Sequence, residues 1–208
     1  MAALAESVGL ERLSLAGLPM PATVRLATPM TDVELIAFSR RNRPYRIERN
    51  AKGELEIMSP VGFEGGQREL FAGARLLVWA EEHGGHCVSS NGGFTLPDGA
   101  VRSPDACWVS DARIAQLTEA QKKGFAPVCP EFLIEIISES DSRAAVEAKM
   151  EMWIANGAKL AWMIDPFAAD LTIYQPGQAP RHVVRPDWVE AETVVPGFRL
   201  ETSRLWAK

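Results

Sequence analysis

Cysteine is scarce: Cys87, Cys107 and Cys129 are the only three, odd in number and far apart. That excludes a disulfide-stapled scaffold and fits reduced thiols in a cytoplasmic protein. Long apolar runs are also lacking. None reaches the ~20 residues that span a bilayer, so no membrane association is expected. The first residues lack a basic stretch leading into an apolar core, so no secretory signal is expected. Positive charge is not in excess: 27 acidic residues against 22 basic give a net charge of −5. A uniformly basic nucleic-acid coat is thereby excluded, but a local basic patch is not. There is no phosphate-binding P-loop and no Gly-x-Gly-x-x-Gly turn after a strand, which argues against an ATPase or a Rossmann enzyme. Helix-turn-helix, zinc-finger and RNA-recognition motifs, internal repeats and low-complexity segments are absent too. His83, His86 and Cys87 lack a second ligand pair for zinc.

What is present is a chain of 208 residues, 47% apolar and 24% charged, enough to bury a core without staples. Residues 1–28 read as a peripheral arm and 29–208 as one domain. Thr31 with Glu34 forms a capping box ahead of a short helix. Residues 45–49 and 54–58, separated by Asn50-Ala51-Lys52-Gly53, follow hairpin grammar. Phe71, Ala74, Leu77 and Val78 set a helical stripe over 64–83, ended by Gly84-Gly85. Strands are expected at 87–90, 93–96, 106–109, 131–137, 160–164, 171–174, 182–184 and 193–195. Short helical turns fit 111–116 and 118–123, and a second amphipathic helix fits 142–156. Strands interrupted by two main helices make an α/β or α+β domain.

Four polar residues break these patterns. Glu135 stands inside the apolar run Phe132-Leu133-Ile134-Glu135-Ile136-Ile137. A strand apolar on both faces is usually central, and a carboxylate there is costly unless paired or metal-bound. Asp105 follows Ser103-Pro104 and opens the run Ala106-Cys107-Trp108-Val109, where it either punctuates a turn or serves a site. Lys149 points along the stripe Val146, Met150, Trp153, either snorkelling at its margin or reaching a partner. Glu64 opens the long helix, where the helix dipole favours an acid regardless of function. Together they make up a kit for metal-assisted phosphodiester hydrolysis: two carboxylates for a hard cation, a lysine, and an outer acid.

Ser103-Pro104-Asp105 followed by Glu135 resembles the PD-(D/E)XK nuclease signature. An ordered series extends the likeness. It runs through Gly53-Glu54-Leu55, Met58-Ser59-Pro60, Gly93-Phe94-Thr95-Leu96-Pro97 and Val101-Arg102-Ser103-Pro104-Asp105. It continues with Cys129-Pro130-Glu131-Phe132-Leu133-Ile134-Glu135-Ile136, Ser138-Glu139-Ser140-Asp141, Lys149-Met150, Asn156-Gly157 and Trp162-Met163-Ile164-Asp165-Pro166. Over residues 30–200 the chain resembles the Uma2 family of restriction-endonuclease-like proteins.

The resemblance implies a mixed central β-sheet flanked by α-helices and a magnesium-dependent DNA endonuclease, with Mn²⁺ as a substitute. Asp105 and Glu135 match the metal-binding acids. Ile137 replaces the motif's lysine, and Lys149 on the next helix is the matching residue. Glu64 would be the first-helix acid, with Glu48 and Glu54 as competitors. Residues 40–52 carry six basic residues against Glu48 alone. Arg43 and Arg46 there, and Arg102 beside the motif, are candidate phosphate contacts, or else a solvated face. Two-strand cleavage would suit a homodimer. The competing readings are a catalytically degenerate module that binds nucleic acid or a partner, and a nuclease acting on RNA.

Overall fold

Local signals set the element boundaries. Thr31 Oγ1 accepts from the Glu34 backbone N–H while Glu34 Oε2 accepts from that of Thr31, at 2.8 Å, closing the expected capping box. Ser142 caps the second long helix through the N–H of Ala145. Gly99, at φ +85°, closes the Pro97-Asp98-Gly99 turn in a conformation that disfavours a Cβ. The computed structural model describes residues 3–4, 15, 17, 19–191 and 193–207. Among these, no helix is long and apolar enough to cross a membrane.

In chain order the elements begin with β1 (Ala3–Leu4), β2 (Ala22–Arg25), α1 (Asp32–Arg41), β3 (Arg46–Arg49) and β4 (Leu55–Met58). Next come α2 (Phe63–His83), β5 (His86–Ser89), β6 (Phe94–Thr95), β7 (Val101–Arg102) and β8 (Ala106–Val109). Then follow α3 (Asp111–Ile114), α4 (Glu119–Lys122), β9 (Phe132–Ile136), α5 (Arg143–Ala155) and β10 (Leu160–Asp165). The chain closes with β11 (Asp170–Tyr174), β12 (Arg181–Val184), β13 (Trp188–Glu190) and β14 (Arg199–Glu201).

These elements group into two compact units. The first comprises Met1–Pro60, Gly93–Ser103 and Leu117–Val128. Its sheet runs β1-β2-β4-β3-β7-β6 over a core that includes Leu35, Phe38, Leu55 and Ile57. Leu15 and Val24, from the stretch expected as a peripheral arm, are buried in its core.

The second unit comprises Val61–Gly92, Pro104–Gln116 and Cys129–Lys208. Its six-stranded sheet has the order β12-β11-β10-β9-β8-β5. Only β9 and β10 are parallel, joined through α5 as a crossover requires; every other pair is antiparallel. This is the mixed sheet with flanking helices that the resemblance implied. Strand alternation divides β9 between two faces. Phe132, Ile134 and Ile136 pack in one core cluster with Ala72, Leu76 and Trp79 of α2. Glu135 faces the other side, where Trp153 of α5 meets it. Phe132 and Trp162 lie edge to face at 4.8 Å in the cluster's centre.

Two expectations change. The buried stripe of α2 is Ala72, Leu76, Trp79 and Ala80, while Leu77 and Val78 are 49% and 56% exposed. Residues 193–195 form no strand: the N–H groups of Val194 and Val195 both reach Ala191 O, turning the chain between β13 and β14. Trp206 is 9% exposed and part of the core, whereas Trp188 is exposed, with Arg199 over its ring.

The phase of α2 is testable. Leu76→Ala is expected to cost about 2–5 kcal/mol, as for a buried leucine, and Leu77→Ala to stay within about 0.5 kcal/mol. Denaturant titration of the two variants checks the assignment; equal losses would contradict it.

Candidate metal site in the second unit

All five residues of β9 are buried, and Glu135 is the acid among them, 5% exposed. Two donors from α5 hold it. Lys149 Nζ lies 2.8 Å from Glu135 Oε1, and Trp153 Nε1 donates to the same oxygen at 2.9 Å. Lys149 and Trp153 are four residues apart, so one helix face carries both. The lysine on the apolar stripe is thus the counter-ion of the acid in the apolar strand.

Asp105 is 8% exposed, and its Oδ2 accepts the Ile136 backbone N–H at 2.8 Å. The β8–β9 register pairs Ala106 with Ile134. One residue earlier on β8 and one later on β9, that register sets Asp105 across from Glu135, at the spacing where side chains on neighbouring strands interact. Sequence reasoning placed Asp105, Glu135 and Lys149 together, and the fold brings them together.

Glu64 behaves otherwise. It is exposed in the first turn of α2 and pairs with Arg68 at 2.8 Å. Of the acids on α2, Glu69 is the one that lines a cleft with Asp105. This cleft of about 400 Å³ lies between α2, β5 and the start of β8. Glu69 precedes Ala72, Leu76 and Ala80 by three, seven and eleven residues, which puts it on the buried stripe. Phasing α2 on Trp79 in place of Phe71 would have found it. Trp153 as a donor to Glu135 left no sequence signal, because a tryptophan on a buried stripe reads as core.

Mg²⁺ is typically held by one or two carboxylates, with waters and substrate phosphates completing its shell. The donor set of Asp105 and Glu135, buried carboxylates on adjacent strands, fits that cation. A closed all-protein cage does not fit: no group of three His, Cys, Asp or Glu side chains suited to a metal occurs among the described residues.

Other buried ionic groups serve structure. Glu131 accepts from the backbone and hydroxyl of Ser110, at 3.0 and 2.7 Å, and pairs with Arg113 at 3.1 Å. In the first unit, Arg102 is 9% exposed and bonds both Glu48, at 2.9 Å, and Glu56. Burial disfavours its charge, but Glu48 and Glu56 outweigh burial and raise its pKa above the ordinary arginine value. Arg46 also reaches Glu48, at 3.2 Å. Of the three arginines expected to contact phosphate, Arg43 is the exposed one. Glu48 is committed to this cluster, and Glu54 to Arg25 at 2.7 Å.

Neither Cys87 nor Cys107 is a ready nucleophile. Burial pushes the Cys87 thiol up to about 11 and that of Cys107 well above its ordinary value, so both are protonated at neutral pH. Iodoacetamide labelling of Cys87 should therefore stay slow through pH 9 and climb towards pH 11; a plateau near pH 8.5 would contradict this. Arg102→Ala should destabilise the protein by about 1.5–3 kcal/mol in a denaturant titration, because Glu48 then keeps only Arg46 and the Ser103 N–H. A loss under about 1 kcal/mol would mean that the cluster is not structural.

A solved structure from Anabaena variabilis ATCC 29413, described as "a putative nuclease belonging to DUF820", superposes with a TM-score of 0.67 at 19% identity. The match covers 86% of this chain and 98% of that one, and at this identity it establishes the fold. No curated protein matches. The Uma2 family model, described as "Putative restriction endonuclease", matches residues 32–203. The chain belongs to the Uma2 family.

Proposed function

We propose that the protein is a magnesium-dependent DNA endonuclease. The observation that carries this reading is the facing pair Asp105 and Glu135 on β8 and β9, both buried, with Lys149 on Glu135. The family description and the nuclease fold of the Anabaena variabilis protein point the same way.

In this reading Asp105 and Glu135 would hold Mg²⁺, which would supply Lewis acidity for phosphodiester hydrolysis. Trp153 fixes the rotamer of Glu135, and the Ile136 N–H fixes Asp105. Both acids are thus set before substrate arrives, which spares reorganisation in the transition state. Lys149, paired with Glu135, offers positive charge to the phosphate as charge develops. Glu69 orients water at the cleft end of the site. Arg43 is the exposed candidate for a more distant phosphate.

Cleavage of a DNA panel with Mg²⁺ or Mn²⁺ tests the proposal. Asp105→Asn and Glu135→Gln should each lower the rate at least 100-fold, about 2.7 kcal/mol, with the circular dichroism spectrum retained. Asparagine is chosen because it still accepts the Ile136 N–H, whose loss would itself cost about 1–3 kcal/mol. Lys149→Met should lower the rate about 10- to 100-fold. Parent-like cutting by both acid variants would overturn the assignment, and cutting of RNA alone would replace the substrate.

A further inference from the structure

The cleft that ends at Asp105 is unlike the carboxylate site it adjoins. Its walls are Leu70 and Leu77 of α2 and Val88 of β5, with Ala106 at its base. Leu70 and Leu77 are 73% and 49% exposed, so the second unit spends two large apolar side chains on lining a concave surface instead of filling its core. Gly73 lies at the floor: a Cβ there would meet Ala106 Cβ at 3.8 Å and little else. Polar groups gather at one end. The β5–β8 register pairs Ser89 with Ala106, placing Ser89 and Ser90 beside Asp105, and Glu69 completes that end.

An occupant must match this layout. It needs apolar faces for the leucine and valine walls, hydrogen-bonding groups on its rim for the serines, and an attachment to whatever sits at Asp105. A phosphate does not fit inside, because Glu69 and Asp105 repel an anion that no cation bridges. A nucleobase fits: it is flat, has low-polarity faces, and is polar at its edge. At about 400 Å³ the cleft also falls within the range of small-ligand pockets. Asp105 lines the cleft and stands across from Glu135, so it joins the cleft to the carboxylate pair, and base and phosphate become parts of one nucleotide.

We propose that the cleft between α2 and β5 receives a nucleobase of DNA whose phosphate sits at Asp105 and Glu135, so that the substrate is single-stranded or locally opened DNA. This rests on the nuclease reading above. A base held in a duplex must first unstack and unpair, which costs a few kcal/mol. Single strands are therefore favoured by at least tenfold.

The test uses the full chain in Ca²⁺ and a single-stranded DNA 12-mer that carries 2-aminopurine and an end-attached fluorescein. Anisotropy reads binding, and 2-aminopurine emission reads the base's surroundings. The variants are Leu77→Gln, which makes a wall polar, and Ala74→Leu, which fills the cleft at an exposed helix position. The expected result is an at least twofold emission change with the parent, lost in both variants along with at least tenfold of affinity. The matched duplex should bind at least tenfold more weakly. Equal emission changes in all three proteins, equal duplex affinity, or no binding of the 12-mer would overturn the proposal. An RNA 12-mer binding more tightly than DNA would overturn the choice of DNA. Cleavage by Asp105→Asn, measured separately, reports on the nuclease reading: loss there with failure here would sink the base site alone.

Discussion

Burying a carboxylate in the middle of a β-sheet is the constraint around which the second unit is arranged. Glu135 occupies a strand with no exposed residue. An isolated charge there would cost several kcal/mol even after relaxation. The fold offsets this with an ammonium and an indole N–H from a single helix, both on Oε1. That fixes the register of α5 against β9, because Lys149 and Trp153 must reach the same atom. The parallel β9–β10 pair then follows from α5 being the crossover between them.

The other buried charges show what a purely structural arrangement looks like here. Asp165 and Asp170 share Arg143, at 3.0 and 2.9 Å, and Asp165 also accepts from the backbone of Phe167 and Ala168. Glu131 ties down the start of α3, and Arg102 joins Glu48 to Glu56. Each of these links elements within its own unit through a guanidinium. Asp165 with Asp170 and Glu48 with Glu56 also face each other across neighbouring strands, each pair bridged by one arginine. Asp105 and Glu135 differ in that Asp105 lines a cleft whose end carries a third carboxylate in Glu69. Bringing like charges together gains nothing for stability. It does suit a site that a divalent cation and a phosphate complete.

Much of this was legible in the sequence, because its signals were short-range or violated a strong pattern. Capping residues, the Asn50–Gly53 turn and the glycines after α2 fix boundaries locally, and they fell within a residue or two of the observed ends. Glu135 was visible because an acid in a doubly buried strand is costly, and Lys149 because it broke an apolar stripe. Glu69 was hidden by an ambiguity of phase. Helix α2 is apolar on two sides, one packed in the core and one lining the cleft, so periodicity alone could not rank Phe71, Ala74 and Leu77 against Ala72, Leu76 and Trp79. The commitment of Arg46 and Arg102 to Glu48 was hidden for another reason. It depends on the pairing of β3 with β4 and β7, which charge counting along the chain does not see.

The central claim is that Asp105 and Glu135 act as a pair towards a divalent cation. Isothermal titration with Mn²⁺ tests it without a substrate. The account predicts binding at about millimolar affinity or tighter by the parent (~4 kcal/mol or more). It predicts at least tenfold weaker binding by both Asp105→Asn and Glu135→Gln, and no loss in Lys149→Met, where a competing positive charge is removed. Binding that survives in both acid variants, or a parent that binds no Mn²⁺ at about 10 mM with or without DNA, would contradict it.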